Sequence, residues 1–107
     1  MKKGIRWYSH LYLAPSVQKL ERTIRYEMKY RRVPLGYYFI TLPECESDMF
    51  DIWSSEQLKM PWMRNRQVDI IGAAGSLGEA KTLAGTIICE MYKATGGFDV
   101  RSYLGYE

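Results

Sequence analysis

Gly72-Ala-Ala-Gly75-Ser-Leu-Gly78 follows a run of strand-forming residues and precedes a run with helical spacing. In that setting a glycine-rich turn brings backbone amides and a helix N-terminus up to a phosphate. Gly72, Gly75, Ser76 and Gly78 are the phosphate-binding candidates on this reading. The competing reading is a tight strand-to-helix turn with an ordinary cap. A second group, Lys19, Arg22, Arg25, Lys29 and Arg32, lies along one helical segment with Tyr26 and Tyr30 nearby. Cations in that pattern neutralise phosphates and aromatic rings stack on bases, so these are the nucleic-acid-binding candidates. A solvated helix face is their alternative. His10 is the single histidine, and it would need Cys45 or Cys89 to form a nucleophilic pair. Cys45 stands between Glu44 and Glu46, whose charges raise a thiol's pKa, and Cys89 reads as a small core residue. Glu44, Glu46, Asp48 and Asp51 lack the order of a calcium loop. The expectation is therefore no catalytic residue, no metal and no cofactor.

The elements that must carry these residues are legible from periodicity. Arg6 to Leu13 alternates loosely and is rich in aromatics, which predicts a strand. Pro15 ends it, and Ser16 is placed to cap a helix from Val17 to about Arg32. Val17, Leu20, Ile24 and Met28 form its apolar stripe. Glu21 with Arg25 and Glu27 with Arg31 are i,i+4 pairs in the favourable order. Tyr37 to Leu42 is apolar on both faces and predicts a central strand. Met49 to Trp53 reads as a short strand leading into a helical turn near Pro61, with a helix from Ser47 as the alternative. Gln67 to Ala73 is a further strand.

The last helix has the strongest signals. Ser76 and Glu79 have capping-box spacing, and Leu77, Ala80, Leu83 or Ala84, Ile87 or Ile88 and Met91 make a buried face. Gly96 stops the helix. Gly85 in its middle suggests close approach of another element. In the tail, Phe98, Val100 and Leu104 are expected on the core. The order of elements predicts an α+β fold, a small mixed β-sheet with two long helices packed on one face, forming a single compact domain over residues 1–107.

Composition narrows the class. The 107 residues are 47% hydrophobic and 14% aromatic, which argues against disorder. Residues 1–34 hold nine basic and two acidic side chains, whereas residues 35–107 hold six basic and ten acidic ones. That asymmetry suits an acidic partner for the first third, or two parts of the chain that face each other within the fold or across a dimer. No apolar run reaches the ~20 residues of a membrane span, and no signal-peptide core is present, so a cytoplasmic protein without a membrane partner is expected.

Two resemblances bear on function. The G-x-x-G-x-x-G spacing resembles the nucleotide-binding turn of extended short-chain dehydrogenases and epimerases over about ten residues. The acidic residue and Tyr-x-x-x-Lys pair that complete that family's pattern are missing here. Trp7-Tyr8-Ser9-His10-Leu11-Tyr12, Ile40-Thr41-Leu42-Pro43 and Thr95-Gly96-Gly97-Phe98-Asp99-Val100-Arg101 resemble short uncharacterised proteins of anaerobic, clostridia-like bacteria, which implies a bacterial cytoplasmic origin and no mechanism. The functional expectation is a non-catalytic protein-interaction module or a homodimeric accessory protein. Its contact surface would be the open sheet edge or the cluster of Trp53, Met60, Trp62 and Met63. Nucleic-acid binding through residues 17–32 and nucleotide or phosphate binding at residues 72–78 are the alternatives.

Overall fold

In the computed structural model, residues 5–29, 36–43, 49–58, 60 and 66–106 are described, with Arg25, Glu27, Met28 and Lys29 described in their backbone alone. Four strands form one sheet in the order β1-β4-β2-β3, where β1 is Ile5–Leu13, β2 is Tyr38–Thr41, β3 is Asp51–Ser54 and β4 is Val68–Ala74. β1 runs parallel to β4, and β2 runs antiparallel to both β4 and β3. The fold is thus α+β with a small mixed sheet. The inner strands are β2, as its apolar run predicts, and β4, which is apolar apart from Asp69. Both faces of an inner strand must be covered, and Phe39, Ile40, Ile70, Ile71, Ala73 and Ala74 are all completely buried.

The helical elements fit the expected outline approximately. After β1 comes a 3-10 segment, Pro15–Leu20, continued by α1, Glu21–Lys29. Val17 and Ile24 are buried, as the apolar stripe requires. Ser16 does not cap this segment. Its N-cap is Ala14, with no side-chain cap bond, and Pro15 opens the turn. The Ser16 hydroxyl is engaged elsewhere, as described below. The arginine partners of the predicted i,i+4 pairs lie outside the described side chains.

Residues 49–58 follow the strand-then-turn reading, and the alternative of a helix running from Ser47 is overturned because residues 51–54 pair as a strand. β3 pairs with β2, and α2, Ser55–Leu58, follows at once. The hydroxyl of Ser55 is fully buried and donates to the Tyr37 carbonyl at 3.3 Å.

α3, Leu77–Thr95, is the one long helix among the described residues, and it packs against β4, β2 and β3. Ala80, Ala84, Ile87 and Met91 are its buried positions. Leu77, the first residue of α3, is instead 43% exposed. Cys89 is exposed rather than a core residue. Gly96 ends the helix in the left-handed region, φ 73°, and donates to the Tyr92 carbonyl.

Gly85 marks no close approach: a methyl group there would meet nothing within 4 Å. Gly85→Ala should therefore only relieve the backbone entropy of a helical glycine. It is expected to stabilise the protein by about 0.5–1 kcal/mol. A thermal melt checks this, with a rise of roughly 3–6 °C expected; a fall would place an undetected contact at that face.

The tail forms α4, Val100–Leu104, which packs on α3. Asp99 caps it, accepting from the Ser102 amide at 3.2 Å. Val100 and Leu104 are buried as expected. Phe98 is not: it is 51% exposed and stacks on Tyr92 with ring centroids 5.1 Å apart. Its ring finds a partner on α3 instead of a place in the core.

Candidate functional site

β1 and β4 are neighbouring parallel strands, so their C-terminal ends lie side by side and each leads into a helical segment. The glycine motif sits at this double junction. Gly72 lies within β4 rather than in the turn. A Cβ there would sit 3.0 Å from the Tyr12 carbonyl oxygen and 3.3 Å from Cδ2 of Leu83. Gly75 allows Ser16 to approach, since a Cβ would come within 2.5 Å of the Ser16 hydroxyl oxygen. Gly78, in the first turn of α3, has open space around it. None of the three has positive φ. Two of the three glycines thus have a packing explanation.

The helix N-terminus already has an anion. Ser76 accepts from the Glu79 amide at 3.1 Å, which is half of the predicted capping box. The Glu79 carboxylate makes the other half differently. It accepts from the Gly75 amide at 2.8 Å, from the Ser16 hydroxyl at 2.5 Å and from the Ser16 amide at 3.4 Å. Glu79 therefore ties the start of α3 to the start of the 3-10 segment. These hydrogen bonds, led by the one from Ser16, hold its carboxyl below the usual range. A phosphate seated on the Gly75 amide would have to displace this carboxylate. The lowered pKa also makes Glu79 a poor base towards the Ser16 hydroxyl.

A depressed carboxyl pKa stabilises the fold above the unfolded value and is lost as pH falls through the folded one. The Glu79 contribution is thus fully present above its ordinary value of 4.5 and disappears below it. Glu79→Gln should lower stability at neutral pH and flatten the acid limb of the stability curve. Urea titrations from pH 7 down to acid check this; an unchanged acid limb would remove Glu79 from the account.

The other feature is β1 itself. It is nine residues long, lies at the sheet edge, and no strand among the described residues pairs with its outer side. Its pairing with β4 is irregular between Trp7 and Tyr12, where four residues of β1 stand against Ile71 alone. Arg6 is anchored on Asp69, its register partner, through Nε at 2.6 Å. Along one side, Tyr8 stacks parallel to Tyr12, meets His10 edge-on at 5.9 Å, and lies 5.9 Å from the ring of Tyr106. Burial, with Tyr103, Glu90 and Tyr8 nearby, pushes the Tyr12 phenol up to about 12. On the other side Trp7 and Phe39 form a T-shaped pair, 6.3 Å between centroids and 81° between planes. Ser9 and His10 are exposed.

The remaining candidates are dispersed. Lys19 and Arg22 are exposed on the first helical segment. The side chains of Arg25 and Lys29, and all of Arg32, lie outside the described residues, as do Trp62, Met63, Cys45, Glu44, Glu46 and Asp48. Met60 is 47% exposed and Trp53 is half-buried on β3. Among the described residues no three His, Cys, Asp or Glu side chains gather as metal ligands. No described helix is long and apolar enough to cross a membrane. Sequence reasoning missed the Ser16–Glu79 bond, which spans 63 residues, and the tyrosine cluster, which joins β1 to the tail. The repeated Tyr at positions 8 and 12 was the only local signal for the second.

No protein-family model, no curated protein and no solved structure matches this chain.

Proposed function

We propose that this chain is a non-catalytic, cytoplasmic interaction module that receives a protein strand along the free edge of β1. The observation that carries this reading is the length of β1 at the sheet edge, nine residues where β3 at the opposite edge has four. An extended partner adds to such an edge through main-chain hydrogen bonds, and side chains on alternate positions supply selectivity. The glycine turn fits a structural role because the Glu79 carboxylate occupies the Gly75 amide. Ser9→Pro tests the reading, since proline removes an edge amide in the irregular stretch of β1 where β4 contributes least. Amides of residues 5–13 should gain exchange protection when a strand partner binds, and Ser9→Pro should weaken that binding at least tenfold. Protection that appears elsewhere, with residues 5–13 unchanged, would sink the proposal.

Nucleic acid is the second reading, favoured by the exposure of both Lys19 and Arg22 within a region of net charge +7. Binding to labelled DNA or RNA that weakens steeply with salt and is lost in an Arg22→Ala, Arg25→Ala, Lys29→Ala variant would favour it over the strand edge.

A further inference from the structure

The partner that the β1 edge fits is written in its own sequence. Ile5-Arg6-Trp7-Tyr8-Ser9-His10-Leu11-Tyr12-Leu13 is nearly self-complementary about Ser9. We infer that β1 pairs antiparallel with β1 of a second copy of this chain, with Ser9 on the two-fold axis, to join two four-stranded sheets into one. This inference rests on the edge-strand reading above and specifies its occupant.

An antiparallel pair about Ser9 sets Ile5 against Leu13 of the partner subunit, and Trp7 against the partner's Leu11. On the other side it sets Arg6 against the partner's Tyr12, and Tyr8 against the partner's His10. Directly opposed residues of an antiparallel pair share a face of the sheet. Apolar residues thus meet apolar residues on one face, and aromatic rings meet a cation or an imidazole on the other. The alternation that this needs is present, because the Tyr8 ring contacts both His10 and Tyr12 along one side. No two like charges oppose each other, and Arg6 keeps Asp69 as its own partner.

Neighbouring registers fit worse. A shift of one residue puts the apolar positions opposite the polar aromatic ones. A shift of two places Tyr8 against itself, or His10 against itself, on the axis and leaves an end of the strand unpaired. Only the Ser9 register uses all nine residues and puts the smallest side chain where two identical side chains must meet. A two-fold axis also closes the assembly at two copies, which removes a long open edge without building a fibre. The side chains left for such a partner are apolar and incompletely covered: Ile5 is 36% exposed, and Trp7, Leu11 and Leu13 are half-buried.

The test combines mass and cross-linking. Light scattering of the unmodified chain at rising concentration should move from 12.5 kDa to twice that mass. In a Cys45→Ser, Cys89→Ser background, Ser9→Cys should form a disulfide-linked dimer under mild oxidation, because opposed Cα atoms about 4.5–5.5 Å apart suit that bond. A Lys19→Cys control should not. Hydrogen exchange on the unmodified chain, dilute against concentrated, gives a readout independent of the variants: amides of residues 5–13 should gain at least tenfold protection. A dimer that neither cross-links at residue 9 nor protects residues 5–13 overturns the inference together with the edge reading. A chain that stays monomeric at high concentration overturns the inference alone and leaves the edge for a different strand. A dimer that protects residues 5–13 without the residue 9 cross-link overturns the register.

Discussion

Phe39→Ala is expected to lower the unfolding free energy by about 3–5 kcal/mol. Phe39 is completely buried in β2, an inner strand. Its register neighbours are Ala73 on β4 and Trp53 on β3, and its ring forms a T-shaped pair with Trp7. Ala73 is too small to fill the space, and the paired strands on both sides hold the backbone apart. The cavity should therefore persist, and the loss combines transfer and cavity terms. Against a total stability of roughly 5–15 kcal/mol for a domain of this kind, that is a large share. The midpoint of urea unfolding should fall sharply with the slope unchanged. Phe39→Leu should lose much less, since most of the volume remains. A loss under about 1 kcal/mol for the alanine variant would mean that Phe39 is not an anchor of the core.

The second large effect belongs to the glycine motif. Gly72→Ala places a methyl group 3.0 Å from a backbone oxygen of β1 and 3.3 Å from Leu83 on α3. A carbonyl oxygen in a paired strand cannot rotate away as a side chain does, so β1 or α3 must shift. A loss of about 1–3 kcal/mol is expected, the usual range for overpacking. Gly78→Ala, six residues on in the same motif, is the internal control. Its methyl group meets nothing within 4 Å, so stability should hold or rise slightly. Equal losses at both positions would contradict the steric account of the motif. The predicted contrast matters for function, because it separates glycines needed for packing from a loop kept open for a ligand.

The candidate sites were unevenly legible. The glycine motif was found by its spacing, but spacing alone does not distinguish an amide awaiting phosphate from one bonded to Glu79. The basic helix was found by its charge, and the structure adds the exposure of Lys19 and Arg22. The edge of β1 was visible as a strand, but its edge position depends on which strands pair.

Local chemistry determined a great deal in this chain. The 3.6-residue spacing from Ala80 to Met91, the Ser76 cap and the Gly96 stop specify α3, because each acts over four residues or fewer. The continuous apolar run from Tyr37 to Leu42 specifies β2 as an inner strand, because both its faces must leave water. Tertiary structure alone decided the rest. It placed β1 parallel to β4 and at the edge, turned Ser16 from its own helix to Glu79, and left Gly85, Cys89 and Phe98 at the surface. Each of these depends on which distant segment arrives beside a residue. A hydroxyl takes the strongest acceptor within reach, and an apolar side chain is buried only where a second layer covers it. Neither the acceptor nor the layer can be read from the neighbours in the chain.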